Sequence, residues 1–145
     1  MPALITPRLA LASRILLPVY LLAVGFIVFA PSDDATQVTG VVAVAARLLG
    51  VFQIPFEPAY VVLEFVANIA LFVPFGVLVR LAFAAPRWWT IALLGLASTV
   101  SIELIQLALP TRFSTVSDVV ANTLGTLLGL LVVRVAVRQL SRVHT

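Results

Sequence analysis

Residues 60–83 read YVVLEFVANIALFVPFGVLVRLAF, and this stretch decides the fold. As a helix it extends about 36 Å at 1.5 Å per residue, enough to cross the ~30 Å hydrocarbon layer of a bilayer. Glu64, Asn68 and Arg80 are the strongly polar residues in an otherwise apolar run. An ionisable side chain held in lipid costs roughly 2.5–3.5 kcal/mol on insertion scales, so Glu64 is expected to be paired or functional.

Three further apolar runs flank this one. Ile15 to Ala30 follows Arg8 and Arg14, Trp88 to Leu109 follows Arg87, and Val119 to Val137 has Arg134, Arg138 and Arg142 across and beyond its end. Charged residues make up 10% of the chain, against about 25% in a soluble domain. With a mean hydropathy of +1.18, the composition is that of an integral membrane protein. The 145 residues give room for four spans in one domain, 1–145. Cysteine is absent, which removes disulfides, thiolate metal sites and a cysteine nucleophile. His144 stands beside the C-terminus as a tail residue, and no cofactor or metal site is expected. All nine basic residues are arginine, spread at segment ends rather than massed on one face, a pattern of membrane topology rather than nucleic-acid binding.

The arginines also orient the chain. With the N-terminus inside, seven of them (Arg8, Arg14, Arg80, Arg87, Arg134, Arg138 and Arg142) flank the inner ends. Arg47 and Arg112 fall outside, together with Asp33, Asp34 and Glu57. Both termini are therefore expected in the cytoplasm. Arginines followed by an apolar run and Val28-Phe29-Ala30 also resemble a signal peptide, but Pro31 opposes cleavage there, and a retained helix is expected. In the outer loop from Pro31 to Ala59, Val38, Val41, Val42, Ala45, Leu48, Leu49 and Phe52 recur at helical spacing. This predicts a short amphipathic interfacial helix ended by Gly50 and Pro55, in preference to a fifth span with Arg47 near its middle. Trp88, Trp89 and Tyr60 stand where aromatic belts anchor helix ends. Pro74 predicts a kink and a freed Ala70 carbonyl. Ala121, Gly125 and Gly129 form a small-residue face that lets another helix approach.

The polar residues fall at matching depths. Counted from the outer ends of their runs, Glu64 lies about 6 Å in, Asn68 about 12 Å, Gln106 about 5 Å, Glu103 about 9 Å and Asn122 about 6 Å below Asp118. Glu64/Asn68, Glu103/Gln106 and Asp118/Asn122 are each three or four residues apart, so each pair shares a helix face. A polar pocket opening outward between the last three spans is the reading, with Arg112 as the nearest cation. Each residue also has a plainer role. Asp118 suits a helix start, Arg112 an interfacial anchor or partner of Asp118, and Asn68 and Asn122 interhelical hydrogen bonds. Glu64 and Glu103 resist such readings, because a buried acid pairs or protonates.

The ordered set Glu64-x-x-x-Asn68-x-x-x-Phe72-x-Pro74-x-Gly76, Glu103-x-x-Gln106, Arg112 and Asp118-x-x-x-Asn122-x-x-Gly125 resembles the VanZ-like family of bacterial membrane proteins. The resemblance covers about Tyr60 to Gly129, and its specificity lies in the combination rather than in any one element. It implies a bacterial cytoplasmic membrane, a cell-envelope role and a link to teicoplanin resistance, and it supplies no reaction. Three functions follow from the residues. The pocket, lined by Glu64, Asn68, Glu103, Gln106, Arg112, Asp118 and Asn122, binds the head group of a membrane lipid, lipid-linked wall precursor or lipoglycopeptide. Alternatively, paired carboxylates act as general acid and base, or hold Mg²⁺ or Ca²⁺ against a lipid phosphate. In the third reading the protein is a structural partner of envelope machinery, docking a helix through Ala121, Gly125 and Gly129. Transport fits least, since the polar groups occupy one leaflet only.

Overall fold

A computed structural model describes residues 5–29, 42–83, 85–109 and 115–143. Four helices are long and apolar enough to cross a membrane: α1 (Pro7–Phe29), α3 (Phe56–Ala82), α4 (Trp88–Gln106) and α5 (Val116–Val143). Between the first two lies α2 (Val42–Phe52), a short apolar helix that over its described residues does not reach the length of a span. Val38 and Val41, the first residues of its expected stripe, lie outside the described residues. α2 closes in a 3-10 turn, Gly50–Phe52, and stops at Gln53, whose left-handed φ of 61° aims its N–H at the Gly50 carbonyl (2.9 Å). The stop is therefore Gln53, not Gly50.

The spans outrun the apolar segments that betray them. α3 starts four residues before Tyr60, directly after Pro55, whose extended conformation (ψ 144°) cannot continue a helix backward. α1 begins at Pro7, where the ring's fixed φ suits a first helical position. α5 runs beyond Val137 through Arg138 and Arg142, a polar extension past the apolar span. α3 is continuous through Pro74.

α3 is the hub, packing most extensively on α5 and also on α1 and α4, while α4 closes against α5. α1 runs antiparallel to α3. At one end, Arg14 Nε donates to the Ala82 carbonyl (2.9 Å) with its guanidinium 5.7 Å from the centroid of the Phe83 ring. Midway, Tyr20 donates its hydroxyl to the Leu71 carbonyl (2.7 Å). Large apolar side chains such as Leu22, Phe26, Leu104 and Leu107 point outward. Ala121, Thr99 and Thr126 are buried within the bundle. Lipid tails are as apolar as leucine, so close backbone approach and interhelical hydrogen bonds hold such a bundle together.

The tightest approach is α3 on α5. A Cβ added at Gly125 would strike the Ile69 carbonyl, one at Gly129 the Val73 carbonyl, and one at Gly76 the Thr126 carbonyl. The Ala121–Gly125–Gly129 face is thus filled by α3 of the same chain. This corrects its reading as a surface for a separate partner, because backbone already occupies the space a partner helix would need.

Candidate functional site

α3 and α5 run parallel from one end of the bundle, and α4 returns antiparallel to that same end. Six of the seven residues singled out from the sequence gather there, and Arg112 lies outside the described residues. The gathering is an ordered chain of contacts. Thr115 precedes α5, and its hydroxyl accepts from the Asp118 backbone N–H (3.2 Å), so Thr115 is the N-cap and Asp118 a first-turn acid. In a capping box the acid at this position would take the Thr115 N–H in return. Here that N–H goes to Glu103 Oε2 on α4 (2.9 Å). The Asp118 carboxylate instead accepts from Asn68 Nδ2 on α3 (2.6 Å). Glu103, Thr115, Asp118 and Asn68 therefore tie α4, α5 and α3 at one level.

Depth counted from the apolar boundaries misplaces these partners. Asn68 is three turns into α3, yet it meets Asp118 in the first turn of α5. The first turns of α3 rise past the start of α5, so helix starts are no common datum.

One turn further along α5 is a second, drier layer. Asn122 is 5% exposed and donates Nδ2 to Thr99 Oγ1 on α4 (2.9 Å), while Thr126 donates its hydroxyl to the Asn122 carbonyl (3.1 Å). Thr99 and Thr126 are fully buried. Asn122 Oδ1 is buried with no partner among the described residues. Turning the amide over would only exchange which of its two polar atoms is orphaned, since one hydroxyl faces it. Thr99 and Thr126 were missed from the sequence, although the spacings Thr99-x-x-x-Glu103 and Asn122-x-x-x-Thr126 put them on the faces already chosen.

Glu103 and Gln106 are both buried but part company: Gln106 Nε2 reaches the Val28 carbonyl near the end of α1 (3.1 Å). Gln106 thus fastens the first span to the cluster. Glu64, one turn before Asn68, is exposed on the helix surface and close enough to Asp118 for the two carboxylates to repel. It accepts no hydrogen bond from the described residues. Among these residues, no three acids or histidines come together as a metal site would require, so Glu64, Glu103 and Asp118 do not form one coordination shell. Glu103 is committed to the Thr115 N–H and Asp118 to Asn68, which leaves Glu64 as the one of these three acids with no hydrogen bond among the described residues.

Fold and site together define a multi-pass helical membrane protein whose spanning helices are joined by polar contacts near one end. The chain belongs to the VanZ/LLP1 family, whose model matches residues 17–137. The match reaches well beyond residues 60–129, taking in most of α1 and α2, where the sequence offered no motif. No curated protein and no solved structure matches the chain.

Proposed function

We propose that this protein serves the bacterial cell envelope by binding the head group of an amphiphile at the acid-bearing end of the bundle, on the outer side of the inner membrane with both termini in the cytoplasm. The ligand class is a membrane lipid, a lipid-linked wall precursor or a lipoglycopeptide such as teicoplanin. One observation carries this reading: Glu64 and Asp118 bring like charges together, and while Asp118 has side-chain donors in Asn68 and Thr115, Glu64 has none among the described residues. Such a pair calls for donors from elsewhere. A head group bearing hydroxyls or an amine supplies them, and its tail lies along the apolar helix surfaces. Arg112, the nearest cation in sequence, is assigned to any phosphate or carboxylate the same head group carries. Glu103 and Asn122 hold α4 on α5 beside the two acids, and Gln106 holds α4 on α1.

The test is mass spectrometry of lipids that copurify with wild type, Glu64→Gln and Arg112→Ala. A species present with wild type and depleted at least several-fold in both variants, at unchanged mass, identifies the ligand. An identical lipid profile in all three proteins rejects the proposal. A species that returns with altered mass after incubation favours chemistry over binding.

A further inference from the structure

The opposite end of the bundle holds a cavity of about 460 Å³ between the end of α3, the start of α4 and the second half of α5. Its size lies within the range of ligand pockets. Arg80 from α3, Arg87 from the turn before α4 and Arg134 from α5 line it, and so bring three guanidinium groups from three separate segments to one space. Arg80 is already steadied by a bond from Nη1 to the Pro86 carbonyl (3.2 Å), while Arg87 and Arg134 have exposed side chains. The side-chain carboxylates among the described residues, Glu57, Glu64, Glu103 and Asp118, all belong to the other end. Among the described residues, no acid lines the cavity.

The rest of the lining is apolar. Leu127, Leu131, Arg134 and Val137 succeed one another at three- and four-residue steps along one face of α5, with Trp88 opposite. From Leu127 to Arg134 is about 10 Å of helix, a greasy wall with a cation at its foot. This arrangement, cations from three segments beside an apolar slot within a spanning bundle, matches a lipid phosphate with its acyl chain above it.

We propose that this cavity is a second site, distinct from the acid cluster, which holds an anionic phospholipid with its phosphate on Arg87 and Arg134 and an acyl chain against Leu127 and Leu131. A free phosphate shares the head-group chemistry but not the chain. The source is therefore decided by the apolar wall, and the experiment must separate the two.

Native mass spectrometry of the full-length protein, released from detergent with phosphatidylglycerol or phosphatidylcholine added at equal concentration, reads the preference directly. Wild type is expected to retain phosphatidylglycerol over phosphatidylcholine. Each of Arg87→Ala and Arg134→Ala lowers that preference about five-fold, the effect of one arginine near an anionic surface. Leu131→Trp fills the slot while leaving all three arginines, and lowers retention of phosphatidylglycerol as well. Far-UV circular dichroism shows that each variant stays helical. Arg47→Ala, which removes an exposed cation on α2 outside the cavity, leaves the preference intact and shows that the losses belong to this site. Equal retention of the two lipids by wild type, or unchanged preference in both arginine variants, overturns the proposal. Displacement of phosphatidylglycerol by millimolar inorganic phosphate, with Leu131→Trp behaving as wild type, overturns the lipid assignment.

Discussion

The bond between Asn68 and Asp118 is the strongest quantitative handle on the cluster, and a double-mutant cycle measures it. Hydrogen bonds between spanning helices average about 0.6 kcal/mol and reach about 1.7 in such cycles. This one is short, at 2.6 Å, and has a carboxylate acceptor. Charge assistance roughly doubles a neutral bond, which puts the expected coupling at about 1–1.5 kcal/mol. Asn68→Ala, Asp118→Ala and the double variant would be compared by equilibrium unfolding through steric trapping in bicelles, with the coupling taken as the departure from additivity. Asp118→Asn adds a check. It keeps an acceptor for Asn68 but gives up the charge assistance while relieving the repulsion with Glu64, so it should cost clearly less than Asp118→Ala. A coupling below about 0.3 kcal/mol, or Asp118→Asn as damaging as Asp118→Ala, would refute the reasoning, because neither is compatible with a charged bond placed beside a like charge.

Other substitutions test the packing. Gly129→Ala drives a Cβ into the Val73 carbonyl and should cost about 1–3 kcal/mol, the range for overpacking. Gly25→Ala, where nothing lies within 4 Å, should be neutral or slightly stabilising by helix propensity; thermal melts in detergent compare the two. Thr99→Val removes the one described partner of a 5%-exposed Asn122 side chain and should cost about 1–3 kcal/mol, visible in the same melts. Thr99→Ser, which keeps the hydroxyl, should recover most of that loss.

Hydropathy carried the architecture. Four spans and a short intervening helix were legible because lipid admits few charges, and the run at residues 60–83 could hardly be anything else. Helix ends were less legible, since backbone bonding continues past the bilayer: α3 opens at Phe56 behind Pro55, and α5 continues through Arg142. The convergence of acids and amides on one end was also readable from spacing. The pairing was not. Glu103 and Gln106 share a face in sequence, yet one bonds to Thr115 and the other to the Val28 carbonyl of a span 78 residues away. Thr99 escaped notice because hydroxyls in spanning helices can bond back to the preceding turn, as Ser98, Ser101, Thr123 and Thr126 do here, and so behave as apolar residues. That Thr99 receives Asn122 instead follows only from how closely α4 and α5 pack. Counting depth from apolar boundaries placed Asn68 and Asp118 on different levels, because α3 overshoots α5.

Thiol crosslinking tests the central arrangement most directly, since the chain contains no native cysteine. Asn68→Cys with Asp118→Cys, and Glu103→Cys with Thr115→Cys, should each be joined rapidly by a short bifunctional thiol reagent in native membranes. Val66→Cys with Asp118→Cys serves as the control, because Val66 is 52% exposed and two residues round the helix from Asn68. Crosslinking of both cluster pairs well ahead of the control is the predicted result. Cluster pairs that react no faster than the control would mean that α3, α4 and α5 do not bring these residues together.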